Sequence, residues 1–161
     1  MRKTLEAIGL GALAVLFWVT YRALYGSDPL PDRIPTHFDI AGQPNGWGAP
    51  SALWLLPAVA VSLYLIMTLV AQFPSAFNYP VRVTIENRAR LQALALSMIV
   101  AIKVEMVCLF ACIQWSIVDG VRQGRFTLSP ALVPLSIVVI FATAGWHIVA
   151  IFRAARPEAG S

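Results

Sequence analysis

Four long apolar segments constrain this chain more than any other feature of its sequence. Hydrophobic residues make up 58% of the chain and charged residues only 12%, about half the usual charged share. Each segment is long enough to cross the ~30 Å hydrocarbon layer of a bilayer as a helix. The sequence therefore predicts an all-α integral membrane protein, a four-transmembrane-helix bundle that forms a single domain over residues 1–161. The apolar segments cover residues 5–25, 52–73, 85–118 and 131–152.

The helix boundaries follow from the residues that flank these segments. The first segment follows a basic start, as in a signal peptide, but it is long and lacks a convincing small-x-small cleavage site, so we expect it to be retained. Thr84 or Asn87 could cap the third helix, and Asp119 and Gly120 are predicted to end it. The predicted helices cover about residues 4–25, 51–73, 85–118 and 130–153.

Lysine and arginine residues near the helix ends predict the orientation. With the N-terminus inside, seven of them lie on the cytoplasmic side and four on the opposite side, while Lys103 lies within the membrane. The positive-inside rule then places both termini in the cytoplasm and residues 26–50 outside the bacterial inner membrane. No basic cluster is interleaved with aromatic residues, so the net charge of +4 does not indicate a nucleic-acid partner.

Residues 26–50 form the densest polar stretch of the chain. Five prolines and four glycines there disfavour a regular helix. Ile34, Phe38, Ile40 and Trp47 give the stretch apolar side chains to pack, which disordered tethers usually lack. The sequence therefore predicts a long ordered extracytoplasmic loop between the first two helices.

This outer loop carries the candidate binding residues. Asp39 and His37 could ligate a metal, or Asp39 could accept backbone N–H bonds as turn residues do while His37 hydrogen-bonds to orient the loop. A single histidine favours the second interpretation, and we predict no metal and no cofactor. Trp47 is either an interfacial anchor or a lid over a pocket. The predicted binding set is Asp32, Arg33, Pro35, His37, Phe38, Asp39, Gly42 and Trp47.

A second candidate set consists of polar residues inside the predicted membrane region. Lys103 and Gln114 share one stripe of the third helix, whereas Glu105, Cys108 and Cys112 share another. We expect the two cysteines to serve as small apolar side chains that fill space. Three interpretations of this set remain open. It can form a proton or ion relay, it can form structural hydrogen bonds between helices, or Lys103 can extend its side chain to the lipid headgroups. We expect Glu105 to form a buried hydrogen-bonded pair with His147 of the fourth helix. The set is Lys103, Glu105, Gln114 and His147.

Two stretches carry a resemblance to a known family. They read LPDRIPTHFDIAGQPNGWG and FNYPVRVTIENRARLQ. The chain resembles the bacterial membrane domain-of-unknown-function 1648 family, which also forms the N-terminal domain of immunity proteins against a sporulation-delaying peptide toxin. The resemblance implies an immunity-like role with a peptide partner, and a cytoplasmic motif of Asn78, Tyr79, Pro80, Glu86, Asn87 and Arg88.

Function is predicted from these sets and not from a catalytic motif. The sequence has no phosphate loop, nucleophile elbow or zinc-protease helix, so we do not predict an enzyme. The leading hypothesis is a binding or immunity-type module that recognises a peptide, a lipid or a membrane-protein partner through the outer loop. The alternatives are a small proton-coupled transporter and an accessory subunit of a larger complex. A second copy of the chain is another candidate partner.

Overall fold

The computed structural model describes residues 2–156 and is mostly helical. Its helices are α1 (Arg2–Tyr25), α2 (Leu55–Val70), α3 (Arg88–Arg122) and α4 (Leu132–Ala154). All four are long and apolar enough to cross a membrane, with α2 counted together with the 3-10 turn that precedes it. The prediction of four such helices is confirmed. Residue 1 and residues 157–161 of the predicted domain lie outside the described residues.

The longest helix, α3, lies at the centre of the bundle. It packs against α1, α2 and α4, whereas α4 packs on α3 and makes no comparable contact with α1 or α2 within residues 2–156. The buried positions of α3 recur at helical spacing and include Lys103, Val107 and Gln114. This arrangement confirms that Lys103 and Gln114 share an inward-facing stripe.

Several helix boundaries differ from the expected ones. Helix α3 continues through Gly120 to Arg122, and the turn that ends it uses Gly124, whose φ of +68° suits glycine. The chain enters α2 through a 3-10 turn, Pro50–Trp54, and α2 ends at Val70. Before α3, the Asn87 side chain accepts a hydrogen bond from the Thr84 N–H at 2.8 Å, and the Thr84 hydroxyl accepts one from the Asn87 N–H at 3.4 Å. Their side chains therefore shape the preceding turn.

Part of the predicted loop is a β-hairpin. Strands β1 (Ile34–Phe38) and β2 (Pro44–Gly48) pair antiparallel, with an irregular register. Asp39 makes the turn, because its Oδ1 accepts hydrogen bonds from the backbone N–H groups of Ala41 and Gln43 at 2.9 and 2.8 Å. The prediction of an all-α chain therefore holds for the helices and is wrong for this segment.

The hairpin packs on the ends of the helices. Ile34 is only 1% exposed and belongs to an apolar cluster with residues of α1 and α3, among them Val19 and Val118. Trp47 meets Phe126 edge-on with ring centroids 5.3 Å apart. We call this end of the bundle the hairpin end. The opposite end, where α1 begins and α4 ends, is the terminal end.

One backbone contact joins the hairpin to the segment that precedes α4. The Gly42 carbonyl accepts a hydrogen bond from the Leu128 N–H at 2.9 Å. Gly42 has a φ of +75°, and a Cβ there would lie 2.0 Å from the Leu128 carbonyl oxygen. Only glycine fits this close approach of two backbone segments without movement.

We expect Gly42→Ala to separate the hairpin from this segment. Gly124→Ala is the matched control, because Gly124 also has positive φ but a Cβ there meets no atom within 4 Å. The free energy of unfolding of the control should fall by only about 1–2 kcal/mol, which is the cost of a side chain at positive φ. The free energy of unfolding of Gly42→Ala should fall by more than that of the control, and this variant should become more sensitive to protease within residues 34–48. Equal losses in unfolding titrations would contradict this assignment.

Candidate binding site beneath the hairpin

A cavity of about 270 Å³ lies beneath the hairpin. Its roof is strand β1, its floor is the part of α3 that carries Gln114, and its sides are the start of α2 and the start of α4. Most of the lining is apolar, with three polar side chains. The lining residues are Ile34, Pro35, Thr36, His37, Phe38, Ala52, Leu53, Leu55, Leu56, Ile113, Gln114, Ile117, Leu128 and Val133.

Gln114 is the polar side chain on the cavity floor. It is fully buried, and its Nε2 donates to Thr20 Oγ1 at 2.7 Å and to the Leu53 carbonyl at 2.9 Å. The Thr20 hydroxyl in turn donates to the Leu16 carbonyl at 2.8 Å. These bonds connect α1, the entry to α2, and α3 at the hairpin end.

The partners of Gln114 determine which way its amide points. The Leu53 carbonyl can only accept, and the Thr20 hydroxyl has already used its proton, so both require the amide nitrogen. The amide oxygen faces neither of them. Gln114 Oε1 is buried and has no hydrogen-bond partner among residues 2–156. A buried acceptor without a donor is costly.

The structure separates the predicted loop residues into groups. Pro35, His37 and Phe38 line the cavity, whereas Asp39 and Gly42 build the turn. The remaining three lie elsewhere on the hairpin end: Arg33 donates to the Trp47 carbonyl at 3.2 Å, Trp47 packs on Phe126, and Asp32 is exposed.

The metal alternative for the loop has no support from the geometry. The His37 ring Nδ1 is hydrogen-bonded to the side chain of Asn45, and the Asp39 carboxylate is occupied by backbone N–H groups. No three carboxylate, imidazole or thiol groups converge within the part of the chain that the structure describes. The turn interpretation of Asp39 and the orienting interpretation of His37 are confirmed.

A second polar cluster surrounds Lys103, toward the terminal end. Lys103 Nζ lies 2.9 Å from both carboxylate oxygens of Glu6 and 3.0 Å from Thr68 Oγ1. The Tyr64 hydroxyl donates to Glu6 Oε2 at 2.6 Å, and Nζ lies 4.2 Å from the Tyr64 ring centroid. Lys103 is 1% exposed, so the hypothesis that it reaches the headgroups is wrong.

Sequence reasoning missed Glu6, Tyr64 and Thr68. A signal for them was present, because Glu6 is the only acidic residue within α1, and Tyr64 and Thr68 lie four residues apart in the mostly apolar α2. A buried ammonium requires an anionic partner, and few carboxylates lie in the apolar segments. The nearest acid in sequence, Glu105, faces another side of α3.

The predicted Glu105–His147 pair is not formed. Glu105 Oε1 accepts from the Thr143 hydroxyl at 2.5 Å, and the His147 Nδ1 lies 2.8 Å from the Thr143 carbonyl oxygen. The other ring nitrogen is 3.4 Å from Ser97 Oγ. Thr143 thus stands between the two residues, because the carboxylate and the imidazole each find a nearer partner on α4.

Glu105 also lines a cleft between α3 and α4. The cleft has a volume of about 250 Å³, and both Cys108 and Cys112 line it as free thiols. Glu105 Oε2 is buried without a hydrogen-bond partner among the described residues. The expected sharing of one helix face by Glu105, Cys108 and Cys112 is therefore confirmed.

The predicted motif at the terminal end does not form one cluster. Tyr79 packs against Leu91 and Ile151, its hydroxyl donates to the Pro74 carbonyl at 3.2 Å, and burial raises its pKa. Glu86 and Asn87 line a separate cavity of about 460 Å³ with Arg90 and Arg156. A hydrogen bond with Thr84 lowers the pKa of the Glu86 carboxyl. Four motif residues are exposed, namely Asn78, Pro80, Glu86 and Arg88.

Comparisons with known proteins match the hairpin segment to the family that its sequence resembles. The family model described as "Domain of unknown function (DUF1648)" matches residues 11–61, which contain the hairpin, Thr20 and Leu53. An "Uncharacterized protein" of Archaeoglobus fulgidus is 35% identical over 86 residues, covering 48% of this chain and 45% of that relative. The match therefore spans less than half of the relative's length. No solved structure matches the chain significantly.

We expect Glu6 and Lys103 to be energetically coupled. Glu6→Gln and Lys103→Met should each destabilise the bundle, because each leaves a partly or fully buried charge without its partner. The free energy of unfolding of the double variant should fall by less than the sum of the two single losses, and the difference, the coupling energy, should be about 1.5–3 kcal/mol. Unfolding titrations of the four proteins in mixed micelles measure this value.

The exposed pair of Asp28 and Arg122 is the matched control for this cycle. Its atoms lie 3.7 Å apart, with side chains 75% and 35% exposed. Solvent screening should keep the coupling of Asp28→Asn with Arg122→Gln below about 1 kcal/mol. If the Glu6–Lys103 coupling is no larger than that of this pair, the buried cluster does not hold the helices in register.

Proposed function

We propose that this chain, whose residues 11–61 match a domain of unknown function, is a small binding protein of the cytoplasmic membrane. Its four apolar helices are compatible with a lipid bilayer. In this proposal the hairpin end recognises a ligand molecule, and the helices hold the hairpin in place. The proposal extends the binding role that the resemblance to immunity-type membrane proteins implies.

One observation carries the proposal: the hairpin is held over a mostly apolar cavity that Thr36 and His37 border. The roof is attached through Ile34, and through the hydrogen bond from Leu128 to Gly42. The floor is the part of α3 around Gln114, which is held in place by its hydrogen bonds to Thr20 and Leu53. Ligand sites in proteins combine mostly apolar walls with a few placed polar groups in this way.

The polar cluster at Lys103 supports binding more than transport. The ammonium group has three oxygen partners at 2.9 to 3.0 Å and an aromatic face beside it. A lysine this well partnered holds α1, α2 and α3 together, and releasing it would leave the Glu6 carboxylate without its cation. We therefore assign this cluster a structural role in the proposed function.

The orientation is part of the proposal. The terminal end carries most of the basic residues near helix ends, so we place it in the cytoplasm and the hairpin end outside. The hairpin tip offers a direct test, because Ile40 is 95% exposed. Ser75 is an exposed position in the connection at the terminal end and serves as the matched control.

We expect a cysteine at position 40, but not at position 75, to react with a membrane-impermeant maleimide in intact cells. The background chain carries Cys108→Ala and Cys112→Ala, which removes both native thiols. Both positions should react after the cells are permeabilised. Labelling of position 75 and protection of position 40 in intact cells would reverse the orientation.

Binding is tested by photo-crosslinking in cells. We expect benzoylphenylalanine at position 36, on the cavity lining, to give an adduct of discrete mass, because the side chain borders the cavity. The same group at position 40, on the exposed tip, is the control and should give no such adduct. Identical product patterns at the two positions would contradict a site beneath the hairpin.

The transport alternative makes the opposite prediction. In proteoliposomes with an internal pH indicator, the binding proposal expects no proton flux above that of empty liposomes. A proton flux that requires the protein and disappears in Glu105→Gln would instead assign transport to the cleft between α3 and α4. An adduct at position 36 that contains another integral membrane protein in fixed stoichiometry would favour an accessory subunit.

A further inference from the structure

We propose that the cavity at the terminal end, between the start of α3 and the end of α4, binds the phosphate group of an anionic phospholipid through Arg90 and Arg156. The inference goes beyond the proposed function, because it concerns the opposite end of the bundle and does not depend on what binds beneath the hairpin. Three features of the described residues lead to it: the charge of the lining, the level of the cavity along α4, and an exposed apolar side chain beside it.

Two arginines supply the positive charge of this cavity. The cavity has a volume of about 460 Å³, and its lining includes Arg90 of α3 and Arg156, which follows α4. Both residues are exposed, so a ligand in the cavity can reach them. Neither forms an ion pair with a carboxylate within residues 2–156. An arginine guanidinium matches phosphate oxygens with parallel N–H donors, so the lining fits a phosphate group.

One carboxylate lines the same cavity and reduces its charge. A hydrogen bond with Thr84 lowers the pKa of Glu86, so this carboxyl is ionised at neutral pH. Two positive charges and one negative charge leave the lining with a net charge of +1. Residues close to the cavity in sequence add exposed cations, namely Arg82, Arg88 and Arg153. The cavity and its surroundings therefore favour an anion.

The cavity lies at the level where α4 reaches the headgroups. Leu91 packs against Ile151 and Ala154, which places Arg90 beside the last turn of α4. Helix α4 has 23 residues and is ~35 Å long, only slightly more than the ~30 Å of hydrocarbon that it would cross. Its ends therefore lie near the two layers of headgroups, where the phosphates of phospholipids lie.

An exposed isoleucine lies beside the cavity. Ile85 is 92% exposed, and its neighbours Thr84 and Glu86 both line the cavity. An apolar side chain next to cationic residues is typical of a segment in the membrane interface, where the cations meet headgroups and the apolar group meets acyl chains. A soluble phosphate ester offers no acyl chain to this side chain. The isoleucine therefore favours a phospholipid over a soluble phosphate.

The experiment measures lipid retention by native mass spectrometry of the full chain, released from micelles that contain phosphatidylglycerol or phosphatidylcholine with the same acyl chains. Both lipids carry a phosphate, but the ammonium group of phosphatidylcholine cancels its charge. We expect the protein to retain phosphatidylglycerol in preference, and the variant Arg90→Gln with Arg156→Gln to lose about fivefold in affinity for each arginine removed. Equal retention of the two lipids by the unaltered protein overturns the proposal, and this comparison needs no variant.

The double variant Arg82→Gln with Arg88→Gln is the matched control. It removes the same charge from the same end of the bundle, and both residues are exposed, but neither lines the cavity. Retention of phosphatidylglycerol should fall clearly less than in the cavity variant, because these charges act on the lipid only through screening solvent. Equal losses in the two double variants would mean that diffuse surface charge attracts the lipid, and they overturn the site.

Glycerol 3-phosphate tests a soluble source of the same chemical group. We expect it to leave phosphatidylglycerol bound, because it has no acyl chains. Displacement of the lipid by equimolar glycerol 3-phosphate overturns the assignment to a phospholipid. Crosslinking at position 36 reports on the hairpin end alone, so a failure of the proposed function and a failure of this inference are distinguishable.

Discussion

Two buried polar contacts on one stripe of α3 determine how the other helices sit against it. Lys103 bonds to Glu6 of α1 and Thr68 of α2, and Gln114 bonds to Thr20 of α1 and to Leu53 before α2. The two α3 residues lie roughly 16 Å apart along the helix axis. Apolar side chains alone would tolerate sliding of one helix along another, whereas hydrogen bonds at both levels allow one register. The hairpin depends on this register because its core residue, Ile34, packs on α1 and α3 together.

The same contacts explain why the hairpin exists as an ordered element. A two-stranded hairpin is at best marginally stable alone. Here it gains the burial of Ile34, the packing of Trp47 on Phe126 and the backbone bond between Leu128 and Gly42. All three partners lie on the helices or on the connection to α4. The cavity then follows from geometry, since the hairpin bridges the helix ends while α2 and α4 leave a gap above α3.

Much of the helical architecture could be predicted from the sequence, because an apolar segment long enough to cross a bilayer can adopt few structures other than a helix. The inward stripe of Lys103 and Gln114 followed from helical spacing, and the turn role of Asp39 followed from its chemistry. The hairpin was missed because its strands are short, rich in proline and glycine, and ordered only by docking. Glu6 was missed, and Glu105 was given the wrong partner, because spacing within one helix carries no information on which neighbour faces it. The gap beneath the hairpin depends on three-dimensional packing and has no local signature.

The helix α4 is attached to the bundle along a single flank. Its packing partner is α3, and the segment before it is joined to the hairpin through Leu128 and Gly42. Pivoting α4 about its line of contact with α3 would move Val133, which lines the cavity, and would pull on the roof through that hydrogen bond. The side wall and the roof are thus mechanically linked, so that moving one displaces the other.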